Sequence, residues 1–231
     1  MTGESMFCSK CSATNNDDSK ICTSCSFQFE SKGFQADKTK EQVKVAMDDA
    51  WATFKALGLD PVGGLLNAYV GLGKVRSLGV GLAFGIAFAL CFVISVYQTP
   101  YFRFLPNMSG LGGFIKLFIV GIVPFIALTT ACIVGEKVGH GKGGVPSNGF
   151  ISGVALLPLG VVFLFASIVG VANIEVIGTI AIVGICMTIL TLFAGLTRIG
   201  EVTEKIASIS VPLMLIASAW ISKVILVSIF S

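Results

Sequence analysis

The order of apolar and polar residues along the chain predicts a membrane protein. Five continuous apolar stretches are each long enough to cross a hydrocarbon core of about 30 Å, which takes about 20 helical residues. They cover residues 78–98, 113–134, 150–170, 175–199 and 208–230. Because lipid offers the backbone no hydrogen-bond partner, these stretches are expected to be helices. A barrel of strands is excluded, since the apolar residues run continuously instead of alternating.

Two amphipathic helices are predicted ahead of the first span. The sequence from Thr39 to Gln42 has the pattern of a capping box, which opens a helix. Apolar residues then recur at steps of four and three: Val43, Met47, Ala50, Phe54 and Leu57. Asp60 and Pro61 provide an N-cap and a first-turn proline for a second helix, which runs to about Leu72. Both helices could lie on the membrane surface, dock onto the helix bundle or bind a partner.

Charged residues are concentrated ahead of the first span. They make up 13% of the 231 residues, against roughly a quarter in a typical soluble domain. Residues 1–76 contain nine of the sixteen basic and nine of the thirteen acidic residues. The chain is therefore a small polar head on a long apolar body. Its net charge of +3, without a basic stripe, gives no reason to expect nucleic acid as a partner.

The distribution of lysine and arginine predicts how the spans are oriented. Thirteen of these residues lie ahead of the first span or in the second-to-third and fourth-to-fifth loops, against two in the first loop. Residues 1–30 contain no apolar run of the length that a signal peptide needs. We therefore expect the N-terminus to be cytoplasmic and the C-terminus, after five crossings, to be extracytoplasmic.

Two C-x-x-C pairs near the start of the chain predict a metal site. Cys8 and Cys11 form the first pair, and Cys22 and Cys25 form the second, with ten residues between the pairs. Each pair places two thiolates on one tight turn, and two such turns complete a tetrahedral four-cysteine site for zinc. A closed site of this kind is structural, because it supplies folding free energy to a segment too short to build a core. Iron is the alternative metal, since four thiolates bind it too.

Two other roles for these four cysteines fit the sequence less well. Disulfides would need an oxidising compartment, whereas the predicted orientation places the N-terminus in the reducing cytoplasm. A redox motif of the thioredoxin type would need a surrounding βαβ pattern, which the sequence does not have. The three cysteines within spans are expected to be small core residues: Cys91, Cys132 and Cys186.

The first span contains a stripe of small residues. Gly81, Gly85 and Ala89 follow one another at steps of four, which leaves a smooth surface that another helix can approach closely. The approaching helix is expected to belong to the same chain. A homo-oligomer formed through this stripe is the alternative.

Lys223 is the one charged residue well inside a span. An ionisable residue within the membrane is a functional candidate by default. Lys223 lies near the end of the fifth span, however, where its long stem can snorkel to the interface. Prolines within three spans are expected to kink their helices: Pro124, Pro158 and Pro212. Kinked helices around a polar path near Lys223 would suit a transporter or a channel subunit.

The glycine-rich loop after the second span, residues 139–144, is not a phosphate-binding loop. A Walker A motif needs glycine where this chain has Glu136, and serine or threonine where it has Gly143. His140, the only histidine of the chain, lies in this loop with Glu136 as the one nearby carboxylate in sequence. We expect a turn at this position, without a catalytic or metal-binding role for His140.

The segment that contains the four cysteines resembles the short zinc ribbon at the N-terminus of many bacterial membrane proteins. That family usually has glycine after each second cysteine, where this chain has Ser12 and Ser26. The resemblance implies a module that binds another macromolecule. With few basic residues in the segment, a protein is the expected partner.

Residues 45–230 resemble the Yip family of Rab-interacting membrane proteins and its bacterial relatives. The resemblance depends on five spans after a cytoplasmic N-terminal region, on Asp60-Pro61, on the glycine-rich loop at 139–144 and on the sequence at 155–158. Eukaryotic members of the family act in membrane traffic through protein partners. The cysteine-rich head departs from the eukaryotic pattern and implies a bacterial protein of the cytoplasmic (inner) membrane.

Together these patterns predict an all-α integral membrane protein with a small zinc ribbon. Its expected parts are the ribbon at 1–30, a linker at 31–38, the amphipathic helices at 39–76 and five transmembrane helices at 77–231. The predicted function is that of a non-catalytic adaptor, which binds a protein partner through the ribbon and the amphipathic helices. A small transporter or channel subunit is the alternative. An enzyme is not expected, since the sequence shows no set of nucleophile and base.

Overall fold

The computed structural model describes residues 5–7, 11, 14–16, 24–25, 32–60, 63–98, 110–169 and 174–230. The chain divides into two compact units, Met1–Val45 and Ala46–Ser231. In the first unit, strand β1 (Ser5–Phe7) pairs antiparallel with strand β2 (Thr14–Asn16), and Phe7 lies opposite Thr14. Helix α1 (Lys32–Leu59) begins in this unit and ends in the second.

The second unit contains the five predicted spans, all as helices. They are α2 (Gly63–Gln98), α3 (Leu111–Val138), α4 (Val145–Val169), α5 (Ile174–Arg198) and α6 (Glu204–Phe230). Each is long and apolar enough to cross a membrane, which confirms the prediction of five candidate spans and indicates a bilayer environment. The helices continue through Pro124, Pro158 and Pro212, the three prolines that were expected to kink them.

Two helix boundaries differ from the prediction. Helix α1 begins at Lys32, ahead of the capping pattern at Thr39, and so includes residues 32–38, which were expected to form a linker. Helix α2 joins the second amphipathic helix to the first span across a bend at Gly73, whose φ is 70° and ψ 173°. Only glycine adopts this backbone conformation at little cost, so the bend depends on the residue type at this position.

Both amphipathic segments dock onto the bundle. Leu57 of α1 is 8% exposed and Leu65 of α2 is 0% exposed, and both belong to the main hydrophobic cluster. The ring of Tyr69 lies 5.7 Å from that of Phe150 on α4. Each amphipathic segment therefore packs at least one of its faces against the chain's own spans.

Helices α2 and α4 touch backbone to backbone. A Cβ atom added to Gly81 would lie 2.7 Å from the Cα of Phe150, and one added to Gly153 would lie 2.8 Å from the Cα of Gly81. Both distances are shorter than contacts that real side chains make. The crossing can therefore form only because both positions are glycine.

The rest of the small-residue stripe faces α3. A Cβ atom on Gly85 would lie 2.7 Å from the ring of Phe125, and one on Gly121 would lie 3.1 Å from the Cα of Ala89. Gly81, Gly85 and Ala89 are thus covered by helices of the same chain, and a second copy cannot use this stripe while the bundle is intact.

We expect Gly81→Ala to destabilise the protein by about 1–3 kcal/mol, because the added methyl group overpacks the α2–α4 crossing. The matched control is Gly79→Ala in the same helix, where an added Cβ meets nothing within 4 Å. That change should be neutral or stabilise by up to about 1 kcal/mol, since alanine favours the helix. Unfolding of both variants in detergent measures the difference. Equal stability of the two variants would contradict the crossing described here.

Candidate functional site

A buried polar pair joins α3 to α4. Glu136 lies in the last turn of α3 and is 6% exposed, and Asn148 lies in the first turn of α4 and is 1% exposed. The side-chain Nδ2 of Asn148 donates one hydrogen bond to the Oε2 of Glu136 and another, of 3.0 Å, to the carbonyl oxygen of Gly144. The carboxylate and the amide therefore meet where the two spans are closest in sequence.

The glycine-rich loop gives the carboxylate its position. Helix α3 ends with a hydrogen bond of 2.9 Å from the Gly141 N–H to the Glu136 carbonyl and one of 3.3 Å from the His140 N–H to the Lys137 carbonyl. His140 has a φ of 55°, so this end is a Schellman motif with histidine at the left-handed position. A Cβ atom on Gly143 would lie 2.8 Å from the Glu136 Oε2. The loop consequently folds back over the carboxylate because glycine leaves room for it.

Ser147 fixes the first turn of α4. Its hydroxyl accepts a hydrogen bond of 2.7 Å from the Gly144 N–H and donates one of 2.8 Å to the Gly144 carbonyl. The backbone N–H of Asn148 donates to the same carbonyl at 3.0 Å. Gly144 therefore acts as an N-cap residue whose own amide is satisfied by the side chain three positions later, as in a capping box.

A second loop lies against the first. The backbone N–H of Lys142 donates a 3.0 Å hydrogen bond to the Gly200 carbonyl, and the Lys142 ammonium lies 3.2 Å from the Glu201 carboxylate. Glu201 also has a φ of 55°. This exposed ion pair contributes little by itself, since solvent screens it. The backbone contact still holds the α3–α4 and α5–α6 connections together.

The Glu136 carboxylate is buried without a cationic partner among the described residues. Neither of the two ion pairs that the described part of the chain forms, Arg76–Asp49 and Lys142–Glu201, includes it. The Oδ1 atom of Asn148 is also buried and has no hydrogen-bond partner. Buried charge and unpaired polar atoms cost free energy, so Asn148 provides the main compensation for this carboxylate.

The pair suits structural positioning better than bond-making chemistry. Further along the same interface, the Ser152 hydroxyl lies 3.6 Å from the Cys132 sulfur, and both residues are buried. In the spans, the buried hydroxyls of Thr188 and Thr191 donate to carbonyl oxygens of their own helix at 2.9 and 2.8 Å. These hydroxyl groups are committed to packing contacts, and none of them faces a base.

Two of the four predicted zinc ligands, Cys8 and Cys22, lie outside the described residues. Cys11 is exposed and Cys25 partly exposed, and each lies in a turn. In sequence, the first C-x-x-C pair falls between the paired strands β1 and β2. Within the described ranges, no group of three or more His, Cys, Asp and Glu side chains is placed to hold a metal ion. The four-cysteine site stays a prediction.

The two other predicted candidates lie on the surface. Lys223 is exposed on α6, and His140 is exposed in the loop above the buried Glu136. Exposure of Lys223 on the outer side of a span agrees with snorkelling and offers no support for a polar path through the bundle. The alternative of transport therefore stays a prediction without an observation that favours it.

Sequence reasoning missed the role of Glu136 and Asn148. Glu136 entered only as a mismatch to the Walker A motif and as the carboxylate nearest to His140 in sequence, and Asn148 not at all. A usable signal was present, since an acidic residue closes one apolar stretch and an amide opens the next across a short glycine-rich loop. Polar residues at facing ends of consecutive spans are within reach of each other when the loop is short.

Comparison of the chain with family models, with curated proteins and with solved structures gave no match. The resemblance to the Yip family and the resemblance to bacterial zinc ribbons are therefore predictions from the sequence.

We expect Asn148→Leu to lower the free energy of unfolding by about 3 kcal/mol, because it leaves a buried carboxylate without a hydrogen-bond donor. Glu136→Gln keeps an acceptor oxygen and removes the charge, so its effect should stay below about 1 kcal/mol. Thermal or denaturant unfolding in detergent provides the measurement.

Asn67→Leu is the matched control for the first variant, since Asn67 is exposed. Combining Glu136→Gln with Asn148→Leu should recover part of the lost stability, because the orphaned group is then uncharged. If Asn148→Leu behaves like Asn67→Leu, the pair does not hold α3 and α4 together.

Proposed function

We propose that the chain is a non-catalytic adaptor of a bacterial cytoplasmic membrane. In this proposal, a zinc ribbon at the N-terminus binds a protein partner, and the helix bundle anchors it in the bilayer. The partner and the adaptor together would form or localise a membrane complex.

The observation that supports this most directly is the continuity of α1. The helix starts in the unit that contains the cysteines and ends with Leu57 in the hydrophobic cluster of the bundle. The last part of α1, which follows the cysteine segment in sequence, is thus packed into the core of the helix bundle. An anchored binding module needs such a connection, whereas a transporter or an enzyme does not.

The buried polar groups also favour binding over catalysis. The Asn148 amide donates a hydrogen bond to Glu136, and the buried hydroxyls of Thr188 and Thr191 donate to carbonyl oxygens of their own helix, α5. General acid–base or nucleophilic catalysis requires such groups to be within hydrogen-bond reach of each other and of a substrate. In the described interior, these polar side chains instead form hydrogen bonds within or between the packed helices.

The donor chemistry of the N-terminal segment supports zinc. Four thiolates in two C-x-x-C pairs form a closed tetrahedral set. The first C-x-x-C pair lies in sequence between the antiparallel strands β1 and β2. Cys8, Cys11, Cys22 and Cys25 would hold the ion, and the ion would stabilise the fold of the segment. Iron remains the alternative occupant.

We expect the purified full-length protein to contain a single zinc ion per chain by elemental analysis, and chemical cross-linking in native membranes to capture a stoichiometric protein partner. Cys8→Ser and Cys22→Ser should lose both the metal and the partner, because a three-thiolate site cannot close. Cys186→Ser, at an exposed position of α5, is the matched control and should retain both. Full metal content without any stoichiometric partner would count against an adaptor.

The proposed orientation has its own test. A bacterial alkaline phosphatase fused after Ser231 should be active, because it folds only outside the cytoplasm, and the same enzyme fused within the glycine-rich loop should be inactive. The excess of lysine and arginine on the N-terminal side provides the reason. A fluorescent protein at the N-terminus gives the complementary signal. The reverse pattern of activities would show that the chain is inserted the other way round.

A further inference from the structure

An apolar groove of about 600 Å³ lies between α1, α2 and α4. Its floor contains the buried Phe84, Phe88 and Gly160. Residues of α1 form one wall, and the outer sides of α2 and α4 form the other. The wall residues on α1 are Met47, Ala50, Trp51 and Phe54, with Asp48 as the single charged residue of the lining.

The groove lies alongside the membrane spans and not beyond their ends. Its lining takes Ala83, Ala87 and Cys91 from within the apolar part of α2, and Leu157 from the middle of α4. A second cavity of about 200 Å³ shares Phe54 and Leu157 with it and reaches α5. The groove therefore runs along apolar parts of α2 and α4, and α1 forms its other wall.

Small residues create this space. Ala83, Ala87 and Cys91 repeat at steps of four on α2, and Gly160 lies opposite them on α4. Larger side chains at Ala83, Ala87 and Cys91 would reduce the volume of the groove. The volume falls within the range of about 300–1,000 Å³ that is typical of sites for small ligands.

The lining restricts the chemistry of an occupant. Apolar cavities do not retain water, since water finds no hydrogen-bond partners there. Val161 and Leu164 line the groove and are exposed on α4, a helix that is long and apolar enough to cross a membrane, so the groove is open along an apolar span. Hydrocarbon can enter from that side without crossing a polar layer.

Cationic groups are present on two of the three helices that form the groove, α1 and α2. The ammonium group of Lys55 lies 5.3 Å from the centre of the Trp51 ring, and the exposed Arg76 lies 3.8 Å from Asp49. Such groups attract the phosphate of a lipid headgroup.

We propose that an acyl chain of a bilayer phospholipid occupies this groove and completes the packing of α1 against α2 and α4. The lipid is bound at a defined site, in contrast to the lipids that surround the bundle. This inference is independent of the adaptor function, since it concerns the membrane domain alone.

The chain's two tryptophans allow a direct test. Trp51 lines the groove, whereas Trp220 on α6 is 68% exposed and faces the surrounding lipid. Phospholipid with brominated acyl chains quenches tryptophan fluorescence on contact. In detergent-purified Trp220→Phe protein, we expect quenching of Trp51 to saturate at a single lipid equivalent. In Trp51→Phe protein, Trp220 should be quenched gradually, without saturation.

A groove-filling variant sharpens the test. Ala87→Phe, made in the Trp220→Phe protein, should lose the saturable quenching of Trp51. The matched control Ile86→Phe adds a ring on the exposed side of the same helix and should keep it. Thermal unfolding shows whether both variants are folded. Native mass spectrometry of the unsubstituted protein should show a retained phospholipid that Ala87→Phe lacks and Ile86→Phe keeps.

Several results would overturn the proposal. Unsaturable quenching of Trp51 that is equal in the Ala87→Phe and Ile86→Phe proteins would identify surrounding lipid only. Absence of quenching at Trp51 would show that acyl chains do not enter. Saturable quenching by a brominated free fatty acid, but not by the phospholipid, would assign the groove to a different ligand.

Discussion

The contact between Gly81 of α2 and Gly153 of α4 is the constraint on which the rest of the bundle depends. Helices in a bilayer gain little from hiding apolar side chains from one another, since lipid is equally apolar. Their association therefore depends on close packing, and backbone contact is the closest packing available. Gly81 also approaches Gly149 and Phe150, so the contact extends along a full turn of α4. With this crossing fixed, the register between the two helices is fixed as well.

The buried polar pair follows from that register. Asn148 directly precedes the residues of α4 that touch α2, so the crossing determines where its amide group lies. The short glycine-rich loop then leaves α3 one position for its last turn, and Glu136 faces the amide. Any arrangement that separated the Glu136 carboxylate from the Asn148 amide would leave a buried carboxylate without its donor, which costs free energy. The pair adds a directional contact between α3 and α4 to a core that consists largely of apolar side chains.

Sequence patterns predicted the spans because the bilayer permits so few alternatives. A continuous apolar run of sufficient length in lipid has to be helical, whatever its neighbours do. The stripe of Gly81, Gly85 and Ala89 indicated a close approach equally clearly. It could not identify the approaching helix, because a small residue leaves space for any partner. The structure fills the stripe with α3 and α4.

The patterns were weaker wherever the outcome depends on tertiary contacts. An amphipathic helix needs a surface for its apolar side, and a bilayer, a partner and the chain's own bundle all provide one. The burial of Leu57 and Leu65 in the bundle is therefore not contained in their spacing. The bend at Gly73 could not be predicted from the sequence either, since glycine permits a positive φ without requiring it. The predicted metal site is different, because its proposed donor set is read directly from the spacing of the four cysteines in the sequence.

Small residues have two different effects in this bundle, and the difference lies in what faces them. At Gly81 and Gly153 each glycine faces backbone, so the missing side chains bring two helices together. At Ala83 and Ala87 the small side chains line a groove whose other wall is the third helix, α1, which carries the large Trp51 and Phe54. Both rings line the space between α1 and the spans. The same kind of residue that closes the α2–α4 interface therefore leaves an open groove beside it.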